Sequence, residues 1–78
     1  MHLEIVTPDV NLYKGEITSA IFPGSDGSFG IMNGHASIVS TLKAGVIKVT
    51  EADDSEKTFE VKGGVVELNN NKIIVLAD

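Results

Sequence analysis

Residues Ile21 to Val49 read IFPGSDGSFGIMNGHASIVSTLKAGVIKV, and this stretch decides the fold. Five of the chain's eight glycines fall here between short apolar runs, together with the turn pairs Asp26-Gly27 and Asn33-Gly34. Both pairs adopt positive φ readily, so each is predicted to fold the chain back within two residues. No window of helical length repeats its apolar positions at three-and-four spacing, and the dominant period is two. The prediction is an all-β chain: a two-sheet β-sandwich, or flattened barrel, of short antiparallel strands.

Working outward, His2 to Thr7 alternates as a half-buried strand, and Pro8-Asp9 ends it because proline offers no amide hydrogen. Asn11 to Gly15 is predicted as a short edge segment. Glu16 to Phe22 follows as a strand with Ile17 and Ile21 on one face and Thr18, Ala20 and Phe22 on the other. Within the opening stretch, Pro23 to Gly27 turns the chain, Ser28 to Met32 is a brief strand, and Asn33-Gly34-His35 turns it again. Ile38 to Leu42 and Gly45 to Thr50 are predicted as separate strands broken at Lys43-Ala44-Gly45.

Glu51 to Glu56 carries four acidic residues in six and reads as a solvated hairpin tip. A calcium loop would need a central glycine and a distal glutamate that are missing. Lys57 to Lys62 is the cleanest strand, with Phe59 and Val61 inward, and Gly63-Gly64 then allows a bulge or a close backbone approach. Val65 to Leu68 and Lys72 to Ala77 form a predicted hairpin across Asn69-Asn70-Asn71. Ile73 to Ala77 is apolar at every position, as in a strand covered on both faces, so a partner or a further segment is expected on its outer face.

At 78 residues the chain is expected to be one domain, residues 1–78, without linker or repeat. It has no cysteine, so no disulfide reinforces it, and two separated histidines make a structural zinc site a poor fit. A net charge of -5 with scattered lysines argues against nucleic acid or an anionic membrane surface as a direct partner. The longest apolar run, Ile73 to Ala77, is far below the ~20 residues of a spanning helix, and His2 and Glu4 interrupt any secretory signal. A soluble, cytoplasmic chain is expected.

Chemistry is sparse. Gly24-x-x-Gly27-x-x-Gly30 matches neither glycine-rich phosphate motif and no helix follows it, so no nucleotide is expected there. His35 stands near Ser37 and Ser40, but G-x-S-x-G is absent and no acid is placed to orient the imidazole. Four scattered aromatic rings make no stacking platform for bases. No catalytic residue, cofactor or metal is assigned. Read from the residues alone, the chain is a small acidic β domain suited to binding or assembly, and two alternatives stay open. One is a free-standing β-sandwich adaptor or ligand-binding module; the other is a small hydrolase built on His35.

The ordered set Pro23-Gly24-x-x-Gly27-x-Phe29-Gly30-Ile31, Gly34-His35-Ala36, Leu42-Lys43-x-Gly45, Gly63-Gly64-x-x-Glu67-Leu68 and Val75-Leu76-Ala77-Asp78 resembles the amino-terminal domain of the epsilon subunit of F-type ATP synthases. The resemblance implies a ten-stranded β-sandwich on the rotor stalk, at the cytoplasmic face of the cell membrane, which catalyses nothing alone. Its implied partners are the gamma subunit and the ring of c subunits, whose rotation it helps to couple. By the same resemblance Gly24, Ser25, Asp26, Gly27, Ser28 and Phe29 match the loop facing the c ring, and His35, Ala36, Ser37, Ser40 and Thr41 the segment toward gamma. The chain departs from the pattern at Asn33, Ser37 and Ala44, where proline is common, and at Ser28, where an acidic residue is common. It ends at Asp78, where the family's helical hairpin would begin, so the nucleotide-binding and rotation-blocking roles of that hairpin are not assigned.

Overall fold

The computed structural model describes residues 1–78. Six strands, β1 (His2–Val6), β2 (Asn11–Phe22), β3 (Phe29–Met32), β4 (Ile38–Glu51), β5 (Glu56–Asn69) and β6 (Lys72–Ala77), form one sheet in the order β1-β6-β5-β4-β2-β3. Because β1 also pairs with β2, the sheet closes on itself and only β3 lies outside the ring. The expected all-β, two-layer architecture is what forms, with two corrections: β1 runs parallel to β6 while the other pairs are antiparallel, and there are six strands where the resemblance implied ten short ones.

β2, β4 and β5 run 12, 14 and 14 residues because each serves both layers. One layer holds β1, β6, residues 64–69 of β5, 38–43 of β4 and 11–16 of β2. The other holds β3, residues 17–22 of β2, 45–51 of β4 and 56–61 of β5. The predicted breaks at Gly15, at Lys43-Ala44-Gly45 and at Gly63-Gly64 are therefore corners within continuous strands. β4 and β5 turn together: Lys43 faces Gly63 and Gly45 faces Val61, leaving Ala44 and Lys62 at the bend.

Gly64 shows why the corner needs its sequence. Its φ is 144°, and a Cβ there would sit 2.9 Å from the Ala77 Cα and closer still to the Leu76 carbonyl oxygen. Only a residue without a Cβ lets β5 bend while β6 stays against it.

The faces predicted for residues 16–22 are corrected by a bulge. Ile17 opposes Glu51 and Ser19 opposes Thr50, so Thr18 is an extra residue and the alternation changes phase across it. Ile17, Ala20 and Phe22 all point inward, while Ile21 is 49% exposed. The hairpin predicted across Asn69-Asn70-Asn71 forms, whereas neither Asp26-Gly27 nor Asn33-Gly34 makes a two-residue hairpin: six residues separate β2 from β3, and the Gly27 amide closes a turn back to the Gly24 carbonyl at 3.0 Å. The tight two-residue hairpin is Asn70-Asn71, both at positive φ (50° and 66°), between β5 and β6. Asn33-Gly34 instead forms a four-residue turn, the His35 amide donating to the Met32 carbonyl at 3.1 Å with Gly34 at φ 83°. It carries the chain from one layer to the other, because β3 and β4 do not pair.

Sixteen apolar residues fill the space between the layers, and no polar or charged residue is buried with them. Leu3, Ile5, Val66, Leu68, Ile73 and Val75 face Ile17, Ala20, Phe22, Ile31, Ile47 and Val49. The short axis of 18 Å fits two sheets about 10 Å apart with their outer backbones. The covering predicted for both faces of β6 holds on the inside only: Ile73, Val75 and Ala77 are buried, Ile74 is half-buried and Leu76 is 60% exposed.

Candidate functional site

The two segments singled out by resemblance lie at one side of the sandwich and touch. Residues 23–25 run beside β4: the Ser25 amide donates to the Thr41 carbonyl at 3.0 Å, the Lys43 amide to the Pro23 carbonyl at 2.9 Å, and Gly24 bridges Leu42. The Thr41 hydroxyl adds a 2.9 Å hydrogen bond to the Ser25 hydroxyl. Residues far apart in sequence thus become one surface.

Within the first segment, Gly24 is buried, and the half-buried Phe29 packs its ring 5.6 Å from that of Phe22. A Cβ at Gly24 would meet the Gly27 carbonyl oxygen at 2.5 Å and the Phe29 ring at 2.8 Å, so this glycine lets the loop fold over the ring. Ser25, Asp26, Gly27 and Ser28 are the exposed part. In the second segment His35, Ala36, Ser37 and Thr41 are exposed and Ser40 is half-buried. Sequence reasoning did not single out their neighbours Met32 and Val39, which are 66% and 69% exposed; strand alternation puts both outward, but only the topology shows that nothing covers them.

A shallow, open cleft of about 330 Å³ lies beside this surface, lined by Ser37, Ile38, Val39, Glu67, Leu68 and Asn69. Its only ionisable side chain is the Glu67 carboxylate, and no histidine lines it. His35 does not address either serine: its Nδ1 lies 2.6 Å from the Ala36 carbonyl oxygen, so that nitrogen carries the hydrogen and donates. Ser40 donates to the Thr41 carbonyl at 3.4 Å. A serine nucleophile needs a base within hydrogen-bond reach, and this pairing is not made. No three His, Cys, Asp or Glu residues gather in a geometry that could hold a metal ion.

The charged clusters are elsewhere and brace the fold. At one mouth of the sandwich Tyr13 donates to Glu51 at 2.6 Å, lies 5.3 Å from the Phe59 ring and carries Lys57 over its face. Burial first, then the hydrogen bond to Glu51, pushes the Tyr13 phenol up to about 12. Along the seam of β1, β2 and β6, the His2 ring sits 2.8 Å from Glu16 and 3.1 Å from Glu4, and Lys72 stands 3.6 Å from Glu4. The hydrogen bond from His2, with help from Lys72, holds the Glu4 carboxyl below its usual range. At the β4–β5 tip the Ser55 amide donates to Asp53 at 3.0 Å and lowers that carboxyl in the same way.

Comparison with known proteins bears on the family and the fold. The family profile described as ATP synthase, delta/epsilon chain, β-sandwich domain matches residues 1–78. An ATP synthase epsilon chain of Chlorobium limicola is 45% identical over 76 residues, covering 97% of this chain and 86% of the relative. That of Campylobacter fetus is 41% identical over 78 residues, 100% of this chain but 60% of the relative, so the chain spans about three fifths of its length. Among solved structures, a chain of the Euglena gracilis mitochondrial ATP synthase (OSCP/F1/c-ring) superposes with a TM-score of 0.88 at 19% identity, over 96% of this chain and 48% of that one. A chain of the Tetrahymena thermophila ATP synthase central stalk and c-ring gives 0.79 at 19% identity, over 99% and 62%.

Proposed function

The chain belongs to the ATP synthase delta/epsilon family, and from that premise we propose that it is a non-catalytic subunit of the central stalk, helping to couple the c ring to gamma during rotary ATP synthesis and hydrolysis. One observation carries the reading: the family profile runs from the first residue to the last, over a fold whose only clefted surface is shallow and lacks an activated nucleophile. An epsilon-type chain is a subunit of the complex and not itself its catalyst. The solved relatives come from assemblies described as F1 with c-ring and central stalk with c-ring, which supports association with rotor subunits.

In this reading residues 1–78 act as one unit, peripheral to the membrane on its cytoplasmic face. Ser25, Asp26, Gly27 and Ser28, supported by Gly24 and Phe29, meet the polar loops of the c ring. His35, Ala36, Ser37, Ser40 and Thr41 turn toward gamma. The Ser25–Thr41 contacts join the two surfaces, so a load on one loop reaches the other through main-chain hydrogen bonds and not through a flexible linker. A coupling element must deform little under torque. A closed sheet with 47 main-chain hydrogen bonds in 78 residues suits that demand.

The test is isolation of the tagged chain from its native host in mild detergent. Stoichiometric recovery of gamma and c is expected. A chain that remains monomeric when mixed with well-folded gamma from the same source would refute the proposal.

A further inference from the structure

From Gly27 to Leu42 the sequence contains no Asp, Glu, Lys or Arg, in a chain where 22% of residues are charged. The fold gathers this run onto one side. β3 is the last strand in the order and has only β2 beside it. Ile38, Val39 and Ser40 of β4 pair with Leu68, Glu67 and Val66, yet β2 joins β4 only between Lys48 and Glu51, and residues 23–25 cover β4 only from Thr41 to Lys43. Two uncharged open edges, joined by the turn at Asn33-Gly34, therefore form one face.

The other open edges are guarded. Residues 56–61 of β5 pair with β4 alone and carry Glu56, Lys57 and Glu60; the free side of residues 11–16 of β2 carries Lys14 and Glu16. Charges on an edge strand prevent another strand from adding to it, because a charge buried against a neighbouring backbone loses its water. β3 has no such guard, no proline and no bulge. Beside it the exposed side chains are apolar: Met32, and Ile21 on the neighbouring strand, 66% and 49% exposed.

We propose that the free edge of β3 is a docking edge taken by strand addition, where an extended, uncharged segment of a different chain hydrogen-bonds along Phe29–Met32 and lays apolar side chains over Met32 and Ile21. A second copy of this chain fits less well, because each copy brings a net charge of -5 and the edge offers no cation to offset it. This rests on the rotor reading above and adds how a stalk partner is held: by main-chain hydrogen bonds at a neutral edge.

Lysine is placed by substitution at Gly30, Met32 or Val39 and, as a control on the guarded edge, at the exposed Thr58. Gly30 accepts a side chain, since a Cβ there meets nothing nearer than the Ala20 carbonyl oxygen at 3.8 Å. Each tagged chain is expressed in the native host, the detergent-extracted complex is isolated, and co-recovered ATP synthase subunits are quantified. Gly30→Lys and Met32→Lys are expected to lower recovery at least about tenfold and Val39→Lys about threefold, with Thr58→Lys like the wild type. In the wild-type complex the β3 amides are expected to exchange with deuterium at least about tenfold more slowly than in the free chain.

Undiminished recovery with Gly30→Lys and Met32→Lys, or equal β3 exchange in free and bound chains, overturns the docking edge and leaves the rotor reading standing. Wild-type chain that recovers no ATP synthase subunit overturns the rotor reading and this inference with it. A concentration-dependent wild-type dimer abolished by Met32→Lys overturns the assignment to a different chain.

Discussion

Gly64→Ala isolates the corner on which the two-layer fold depends. The added methyl would fall against the Leu76 carbonyl oxygen and within 2.9 Å and 3.1 Å of the Ala77 Cα and Leu76 carbonyl carbon, all of them backbone atoms of β6. None is the loose end of a side chain, so β6 itself must move. Forcing a non-glycine residue to φ near 144° costs about 1–3 kcal/mol, and overpacking against fixed atoms adds about 1–3 kcal/mol. At roughly 0.05–0.15 kcal/mol per residue a chain of this length is stable by about 4–12 kcal/mol, so the substitution removes a large share. With a urea slope near ~1 kcal/mol/M, the unfolding midpoint should fall by about 2 M or more. Urea unfolding followed by far-ultraviolet circular dichroism reads it directly, with Gly30→Ala as the open-space control. A Gly64→Ala midpoint within ~0.5 M of wild type would refute the claim that close backbone approach sets the bend.

Three further outcomes follow from the same contacts. Tyr13 is the one tyrosine and there is no tryptophan, so ultraviolet tyrosinate absorbance reports it alone; native protein should titrate near about 12 and urea-unfolded chain near ~10. A phenol whose folded value is raised lends stability that is complete below the unfolded value and is lost as pH rises toward the folded one, so alkaline weakening should span about 10 to 12; Glu51→Gln should lower the native midpoint, and an unmoved midpoint would count against the hydrogen bond. Phe22→Ala, at the largest fully buried side chain, should cost about 3–5 kcal/mol in calorimetric or urea unfolding. His35→Ala, in an exposed turn, should leave stability within about 0.5 kcal/mol while reducing recovery of gamma, and a large fall in melting temperature would show a structural role instead.

Much of the fold is legible in the letters, and the misreadings have a common cause. Period-two alternation locates most of the strands, the unbroken apolar run Ile73 to Ala77 locates β6, and Gly63-Gly64 announces a close backbone approach that the structure contains. What alternation cannot express is a change of phase within a strand: Thr18 adds one residue against β4, so Ile17 and Ile21 part company although both sit four apart on an even pattern. Nor does the sequence distinguish a strand end from a corner. Lys43-Ala44-Gly45 has the composition of a turn, yet the ladder passes through it because Gly45 and Val61 resume the register that Lys43 and Gly63 leave. The hairpin across Asn69-Asn70-Asn71 is legible as a hairpin; that its turn narrows to Asn70-Asn71 follows because both residues take positive φ, which asparagine tolerates better than most residues. At the candidate site, resemblance singles out residues on both sides of the Ser25–Thr41 contact, while the exposure of Met32 and Val39 depends on which strands fail to gain a second neighbour, a property of the closed sheet as a whole.

That dependence on closure also explains why the uncharged face can exist in so small a chain. β1 has strand partners on both sides, and β2, β4 and β5 each lend their two halves to different layers, so few strand segments remain with a free edge. A chain of 78 residues cannot bury a large core, and an unguarded edge would ordinarily invite aggregation. Here the charges are spent selectively: Glu56, Lys57, Glu60 and Lys14 occupy the edges away from the Gly27–Leu42 run, and the run itself has none. On the docking proposal, the net charge of -5 disfavours a second copy at the neutral side and leaves it to a different chain. Stiffness and selectivity thus come from one arrangement, in which closing the sheet fixes how few edges remain and the placement of charge decides which of them a partner can use.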